Sequence, residues 1–407
     1  MTSPITTDYL QRIPKTDLHV HLDGSLRLPT LIELAKSADV DLPSYEEAGL
    51  HETVFKDAYA DLPEYLAGFA YTVAVLQTAE NLERVAYELA EDNLAEGVRY
   101  FEVRFAPHLH TSKNLSLEDV VQAVVRGLNR AKKEHNESPA VTAGEDIPFE
   151  FGIIACALRS FFPAMSPYYD ALFRVMRHAP REDVFAAASL ELARAAEVLC
   201  HHQGLPVVGF DLAGEEAGYP AVNHREAFQY AHSHFIHKTV HAGEAYGPES
   251  IFQAITTCYA NRIGHGTFLF AVDKIQDSHI LDAEAYVRYL VEYIAAGRIH
   301  IEVNLTSNLQ TIPSMKSVAD HPLKRMLEHN LSASICTDNR LVSNTTVTRE
   351  LSLAVEELNI TPRQLRNLII AGFKGSFFPG SYNDKRAYVR KVIDRYDRIA
   401  AEHGMAD

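Results

Sequence analysis

The stretch Asp17-Leu18-His19-Val20-His21-Leu22-Asp23-Gly24-Ser25 takes the chain from a short apolar run into a polar turn. Side chains two residues apart on an extended chain point to the same face, so His19 and His21 are expected to converge on one point. In (β/α)₈ barrels, functional groups gather where strands end and the following loops begin. The stretch therefore predicts the first strand of an α/β fold, with chemistry at its carboxyl end.

The rest of the sequence repeats a short apolar run followed by a longer amphipathic segment. The eight predicted strands are 16–19, 100–105, 149–155, 207–212, 238–241, 262–264, 299–304 and 332–337. Predicted helices include 82–96, 116–133, 184–202 and 283–296, where apolar residues recur at helical spacing. These units predict an α/β fold, a (β/α)₈ TIM barrel with extra helices, as a single domain over 1–407. The polar stretch 132–148 is expected to be a surface loop.

Net charge and cysteine usage limit which binding partners and which cellular compartment are expected. The chain carries 38 Lys and Arg against 54 Asp and Glu, a formal net charge of −16, and an acidic surface repels phosphate backbones and anionic lipids. We therefore expect neither nucleic acid nor a membrane as a partner. The four cysteines form no C-x-x-C pair, and neither a signal peptide nor an apolar run of membrane length is present, so a cytoplasmic location is expected.

Polar residues also follow three later predicted strands. These strands end in His241-Ala242-Gly243-Glu244, Gly264-His265-Gly266 and Thr337-Asp338-Asn339. Each ending alone is compatible with an ordinary turn or helix cap. Together with the first strand they bring several imidazoles and a carboxylate to one rim of the barrel. Such groups bind a zinc-like divalent ion that leaves one position open for water.

Two other His-x-His pairs have the same spacing in a different context. His232 and His234 lie in a helical pattern, where residues two apart do not face each other, and they are expected on a solvated face. His108 and His110 follow the second predicted strand. His108 is expected to lie near the pocket, at most behind the residues that contact a ligand.

Five motifs form one ordered set: Pro14-Lys15-Thr16-Asp17-Leu18-His19-Val20-His21-Leu22-Asp23-Gly24-Ser25, Asp211-Leu212-Ala213-Gly214-Glu215-Glu216, His241-Ala242-Gly243-Glu244, Arg262-Ile263-Gly264-His265-Gly266 and Thr337-Asp338. The set resembles the adenosine deaminase family of amidohydrolase barrels, over roughly residues 13–379. The resemblance implies a small-molecule purine nucleoside as substrate and one zinc ion (Zn2+) per chain. It implies that the metal ligands are His19, His21, His241 and Asp338.

The resemblance also implies three catalytic residues. Glu244 would be the general acid that protonates purine N1, because adding hydroxide to C6 disrupts the aromatic ring unless N1 is protonated. His265 would orient the attacking water and stabilise charge on it. Asp338 can accept the proton of that water while it still holds the metal.

The residues expected to contact the substrate are His21, Asp23, Gly214 and Asn339. Asp23 resembles the family residue that binds the ribose 5′-hydroxyl, and the backbone N–H of Gly214 resembles the group that meets purine N3. Many family members carry a second Asp at the position of Asn339. An amide can donate to purine N7 without needing a titratable proton. The sequence leaves open whether Arg340, which follows, faces the pocket or solvent.

Two further segments resemble parts of the family fold. Residues 62–69, Leu62-Pro63-Glu64-Tyr65-Leu66-Ala67-Gly68-Phe69, resemble a helical gate over the ribose, and an ordinary amphipathic helix packed on the barrel is the alternative. Thr306-Ser307-Asn308 resembles a polar strand end, to which we assign no catalytic role.

The activity implied by this set is hydrolytic deamination of adenosine and 2′-deoxyadenosine to inosine and 2′-deoxyinosine plus ammonia. One alternative keeps the chemistry and changes the substrate to a 5′-substituted adenosine such as 6-aminodeoxyfutalosine. A second alternative is a noncatalytic metal-binding barrel, from which loss of a ligand or of the acid would be expected, and none is lost. The zinc fold of cytidine deaminases is excluded because its H-x-E and P-C-x-x-C signature is missing. The oligomeric state stays open.

Overall fold

The computed structural model describes residues 5–405 as an eight-stranded parallel barrel surrounded by helices. The strands are β1 Lys15–His21, β2 Val98–Phe105, β3 Glu150–Leu158, β4 Val207–Ala213, β5 His237–Ala242, β6 Arg262–His265, β7 His300–Val303 and β8 Ala333–Ile335. They pair in sequence order from β1 to β8. Each matches a predicted strand to within a few residues, and the prediction of a (β/α)₈ barrel is confirmed.

Helices cover the outside of the barrel and part of its carboxyl-terminal rim. They are α1 Thr7–Arg12, α2 Leu28–Ala38, α3 Glu47–Thr53, α4 Leu62–Ala67, α5 Phe69–Val75, α6 Ala79–Ala95, α7 Leu117–Asn136, α8 Pro139–Thr142, α9 Pro167–Val175, α10 Arg181–Glu197, α11 Arg225–Ser233, α12 Pro248–Thr256, α13 Ala283–Gly297, α14 Leu305–Thr311, α15 Leu323–Glu328, α16 Val347–Glu357, α17 Pro362–Gly375 and α18 Tyr382–Glu402. A π-helical turn, Val198–His202, extends α10. Within residues 5–405, no helix is long and apolar enough to cross a membrane.

The stretch 132–148 differs from its prediction as a surface loop. Its first part is the last turn of α7, and its middle forms the short helix α8. The side chain of Asn136 accepts a hydrogen bond from the backbone N–H of Phe149 at 2.7 Å and donates to the Phe149 carbonyl at 3.1 Å. This contact joins the end of α7 to the start of β3. The composition is polar because this helix end lies at the surface, and polar composition alone does not distinguish such a helix from a loop.

The barrel closes where the end of β8 meets β1. The backbone N–H of His21 donates to the carbonyl of Asp338 at 2.7 Å, and the N–H of Asp338 donates to the carbonyl of His19 at 2.7 Å. Three polar side chains from the two ends of the barrel sequence are thus held side by side by main-chain hydrogen bonds. The fold itself sets their spacing.

An ion network fills the barrel interior below this rim. Arg262, on β6, donates from Nε to Glu302 at 2.6 Å and from a terminal nitrogen to Glu102. Its guanidinium carbon lies 3.6 Å from the centre of the Phe377 ring, just beyond α17. All three charged residues are at most 1% exposed. Burying these charges is tolerable only because each is paired and hydrogen-bonded.

We expect Arg262→Met to lower the free energy of unfolding by about 3–5 kcal/mol, because it leaves buried carboxylates without their partner. Denaturant unfolding followed by circular dichroism measures the change. The control is Arg126→Met, since Arg126 pairs with Glu83 at 2.7 Å but both side chains are at least 40% exposed. That variant is expected to lose less than about 1 kcal/mol. Equal losses in the two variants would contradict the structural role of the buried network.

Candidate active site

Four buried side chains from three parts of the barrel converge at the carboxyl-terminal rim. His19 and His21 come from β1, His241 from β5, and Asp338 from the segment after β8. Each offers one nitrogen or oxygen atom to the cluster, and these four atoms all lie within 4.8 Å of one another. The Nε2 atoms of His21 and His241 are 3.2 Å apart, and Asp338 Oδ1 lies 3.3 Å from His19 Nε2 and 3.4 Å from His21 Nε2. The structure therefore brings together the four residues expected as metal ligands.

Two carboxylates behind the cluster orient its histidines. Glu302 Oε2 lies 2.7 Å from His19 Nδ1, and Asp211 Oδ2 lies 3.1 Å from His241 Nδ1. Each carboxylate accepts a hydrogen bond from the Nδ1–H group of its histidine, so His19 and His241 turn Nε2 toward the cluster. Arg104 donates 2.8 Å hydrogen bonds to both carboxylates and thereby links the two histidine supports.

The electrostatics of the cluster suit a divalent cation. His19 Nε2 is buried and has no hydrogen-bond partner. Burial lowers the pKa of both His21 and His241, which keeps these imidazoles neutral. Ligand atoms about 2.0–2.1 Å from a tetrahedral ion lie about 3.3 Å from each other, close to the spacings found here. Neutral imidazole nitrogens and a carboxylate oxygen that face one another at this distance can each donate a lone pair to a metal ion. The residues of the cluster therefore fit a metal ion.

The pKa shifts of His19 and Asp338 indicate that the cluster favours positive charge. Burial and the charge of Arg104 act to lower the pKa of His19. Its pKa is nevertheless raised, because the nearby carboxylates of Asp338 and Glu302 stabilise the imidazolium form. Burial alone would likewise raise the pKa of Asp338, but the neighbouring His19 holds it below its ordinary range. Both shifts point to a site that attracts cations.

Glu244 lies beside the cluster on a turn that one carboxylate holds in place. Its pKa is raised well above the ordinary range, first by burial and then by the charges of Asp338 and Glu216. Glu216 accepts hydrogen bonds from the backbone N–H groups of residues 243–246 at 2.6–3.1 Å, and from the hydroxyl of Ser250 at 2.5 Å. Glu244 is thus a rigidly placed carboxyl group whose surroundings raise its pKa and favour its protonated form.

His265 faces Glu244 with a defined tautomer. The amide nitrogen of Asn308 lies 3.0 Å from His265 Nδ1, while Asn308 Oδ1 accepts from Thr267 at 2.9 Å. The amide nitrogen must therefore donate to Nδ1, which leaves the proton of the neutral ring on Nε2. Burial lowers the pKa of His265 well below its usual value. Nε2 is buried without a hydrogen-bond partner and lies 3.7 Å from Glu244 Oε1, so the site contains a free N–H donor.

Two of these residues have a left-handed backbone. His265 has φ +65° and Asp338 has φ +60°. Side-chain-bearing residues adopt this region at a cost of about 1–3 kcal/mol, and such residues cluster at functional sites. The conformation turns the chain sharply at the ends of β6 and β8.

A cavity of about 1270 Å³ opens onto the cluster from the carboxyl-terminal end. Its walls include all the residues expected to contact substrate, namely His21, Asp23, Gly214 and Asn339. Asp23 Oδ1 is buried without a partner, and Gly214 has φ +97° in the left-handed region. The cavity therefore joins these groups to Glu244 and His265 in one continuous space.

The segment 62–69 forms α4 and the start of α5 and lies over this cavity. Leu62, Leu66 and Phe69 line it, and the Phe69 ring lies 6.4 Å from the ring of His21. Tyr65 and Leu62 are buried, so the segment also packs on the barrel. The segment therefore packs on the barrel and also lines the cavity, and its role as a gate over the ribose stays a prediction.

Arg340 points away from the cavity. Its side chain forms a 2.5 Å ion pair with Glu96, at the end of α6. Glu96 also accepts a 2.7 Å hydrogen bond from the backbone N–H of Thr348, near the start of α16. Arg340 therefore ties the chain after β8 to two surrounding helices and takes no part in lining the cavity.

The other histidine pairs lie outside the cluster. His232 is exposed and stacks on Tyr259, as expected for a helix surface, whereas His234 is half-buried. His108 is buried against Tyr168, with ring centres 3.8 Å apart, and does not line the cavity. His110 is closer to the site than its sequence context indicated, because its Nε2 lies 3.8 Å from Asp23 Oδ2.

Sequence reasoning missed most of the residues that support the site. The segment Thr306-Ser307-Asn308 received no catalytic role, yet Ser307 donates to Asp338 Oδ2 at 2.6 Å and Asn308 fixes the His265 ring. Glu302, Asp211 and Arg104 were also not singled out as site residues. A usable signal was present, since each of these three is a charged residue within a predicted barrel strand, and buried charges require partners.

Comparison with known proteins places this site in a family. The family model of adenosine deaminase matches residues 14–395. The chain is 37% identical to adenosine deaminase 1 of Streptomyces coelicolor, over 95% of this chain and 87% of that protein. It is also 37% identical to an adenosine deaminase of Mycolicibacterium vanbaalenii, over 97% of this chain and 98% of that protein.

A solved structure shows the same fold at lower identity. An amidohydrolase from Burkholderia ambifaria, with bound Zn, superimposes with a TM-score of 0.76 at 20% identity, over 98% of this chain and 95% of that one. The match of the family model over most of the chain decides the assignment. The chain belongs to the adenosine deaminase family, whose members are metal-dependent hydrolases that deaminate adenosine-like substrates.

Proposed function

We propose that this protein is a zinc-dependent deaminase of adenosine and 2′-deoxyadenosine, which releases inosine or 2′-deoxyinosine and ammonia. The observation that carries the proposal is the placement of the Glu244 carboxyl group and the His265 N–H beside the His and Asp cluster, within 4.8 Å of Asp338. An acid, a neutral donor and a set of metal ligands then face one cavity.

His19, His21, His241 and Asp338 would hold one zinc ion. A bound zinc ion lowers the pKa of a coordinated water to about 7 and so supplies a nucleophile at neutral pH. Two imidazoles supported by carboxylates, together with a carboxylate ligand, are the donor types that zinc prefers. The zinc bound in the Burkholderia relative supports the choice of metal.

The chemistry adds water to purine C6 and removes the amino group as ammonia. Glu244 would give its proton to N1 as oxygen attacks C6, which prevents charge from building up on the ring. The His265 N–H would donate to the attacking oxygen and orient it. Asp338, whose Oδ2 is held by Ser307, would take one proton of the water and pass it to the leaving amine, which departs as ammonia. The second water proton would leave the C6 oxygen as the carbonyl forms and restore the protonated Glu244.

The remaining cavity residues would orient the nucleoside. Asp23 Oδ1, which is buried and has no hydrogen-bond partner, would accept a hydrogen bond from the ribose 5′-hydroxyl. The backbone N–H of Gly214 would meet N3, and the amide of Asn339 would donate to N7. The apolar side chains of residues 62–69 would cover the ribose and exclude water.

A 5′-substituted adenosine such as 6-aminodeoxyfutalosine is the second candidate substrate. The observation that favours it is the cavity volume of about 1270 Å³. Small-molecule sites usually measure about 300–1,000 Å³, so the cavity has room beyond an unsubstituted nucleoside.

We expect the metal-replete protein to have a higher kcat/KM for adenosine and 2′-deoxyadenosine than for 6-aminodeoxyfutalosine, because Asp23 needs a free hydroxyl as its donor. Chromatography of the deaminated product and an ammonia assay measure the three rates. Preference for the substituted nucleoside would keep the chemistry and replace the proposed substrate.

We expect Glu244→Gln to lower kcat for adenosine by about 10² or more, because an amide cannot supply the proton for N1. Metal content should stay at one ion per chain, since Glu244 is outside the proposed ligand set. Glu215→Gln is the matched control, because Glu215 lines the same cavity without belonging to the acid cluster. An unchanged kcat in Glu244→Gln would remove Glu244 from the acid role.

We expect His241→Ala to bind zinc at least about 10-fold more weakly, because it removes one of four ligands. Competition with a chelator, followed by elemental analysis, measures the affinity without using activity. His279→Ala is the control, since the His279 side chain is 93% exposed and lies outside the cluster. Full zinc retention by His241→Ala would contradict the assigned ligand set.

A further inference from the structure

A hydrogen bond joins the gate segment to the purine-facing edge of the cavity. The Nδ2 atom of Asn339 donates to the Tyr65 hydroxyl at 2.7 Å, and that hydroxyl lies 2.8 Å from Ser343 Oγ. Tyr65 and Asn339 are both buried and both line the cavity. Tyr65 thus contacts Asn339, a proposed substrate-binding residue, through its hydroxyl, which is the only polar atom of its side chain.

The packing around Asn339 decides which end of its amide faces Tyr65. Oδ1 of Asn339 is buried without a hydrogen-bond partner and lies against Gly24, where an added Cβ would come within 1.9 Å of it. Reversing the amide would place an NH₂ group, with two donors, in this confined position. Buried N–H groups without partners are rarer than buried carbonyl oxygens without partners, so the observed orientation is the favoured one.

The observed orientation leaves one donor available. An amide nitrogen carries two N–H bonds, and Tyr65 accepts only one of them. No other described residue accepts a hydrogen bond from Asn339 Nδ2. Asn339 lines the cavity, and the second N–H of its amide therefore has no hydrogen-bond acceptor among the described residues.

We infer that Tyr65 is a positioning residue for purine recognition: its hydroxyl, held by Ser343, fixes the donor end of the Asn339 amide toward N7. This inference rests on the proposed function and adds a determinant of specificity to it. The gate segment then has two roles, because its apolar side chains cover the ribose while Tyr65 orients a group that contacts the base. The hydroxyl is the feature that matters, so phenylalanine at this position would cover the cavity equally well and leave the amide unfixed.

Dissociation constants for two products that differ only at position 7 test this inference. Inosine has a nitrogen acceptor there, and 7-deazainosine has a C–H group. We expect Tyr65→Phe to weaken binding of inosine by about 3- to 10-fold, the usual effect of one hydrogen bond. Binding of 7-deazainosine should change by less than about 2-fold, because it has no acceptor for the amide. Calorimetric titration of the metal-replete protein measures both constants.

Tyr59→Phe is the matched control. The Tyr59 ring packs edge-on against Tyr65 at 5.1 Å, but its hydroxyl lies near backbone atoms only and accepts from the Lys56 N–H at 2.9 Å. Loss of this hydroxyl should shift the two dissociation constants by the same factor. A difference between the two ligands that appears in Tyr65→Phe and not in Tyr59→Phe would support the inference.

Two outcomes would overturn the inference, and they are distinguishable. Equal weakening of inosine and 7-deazainosine in Tyr65→Phe would show that the hydroxyl serves only to hold the gate in place. Failure of the unaltered chain to deaminate adenosine or to bind inosine would remove the proposed function and the inference with it. A double variant, Tyr65→Phe with Asn339→Ala, separates a shared role from independent ones. It should bind inosine no more weakly than Asn339→Ala alone.

Discussion

Four carboxylates and two guanidinium groups are buried together at and beneath the metal-ligand cluster. Asp338, Asp211, Glu302 and Glu102 supply the negative charges, and Arg104 and Arg262 supply the positive ones. The carboxylates outnumber the guanidinium groups, so negative charge is left over in a region where unpaired charge is costly. A divalent cation would balance this charge, so the barrel interior and the candidate metal site form one electrostatic unit.

This buried charge network also explains why the residues that support the histidines extend below the rim into the barrel. Arg104 holds the carboxylates behind two different histidines, and Arg262 holds the far side of one of those carboxylates. The rings of His19 and His241 are thereby fixed through two successive layers of hydrogen bonds.

The fold was readable from the sequence because strands of a parallel barrel are buried on both faces and appear as short apolar runs. The ends of those runs also indicated His19, His241 and Asp338. The supports Glu302 and Arg104 were not recognised, because their roles depend on neighbours from distant strands. The orientation of Arg340 and the helical part of 132–148 were likewise not decided by composition, since each depends on a specific contact, with Glu96 and with β3 respectively.

Closure of the barrel between β8 and β1 has a consequence for the order of events during synthesis. His19 and His21 leave the ribosome early, whereas Asp338, whose backbone bonds to both, follows all eight strands. Domains generally fold as units as the chain emerges. A nascent chain that ends before β8 therefore has the three histidines of the cluster but neither the closing hydrogen bonds nor the Asp338 carboxylate, so the four candidate ligands can meet only after the last strand has been made.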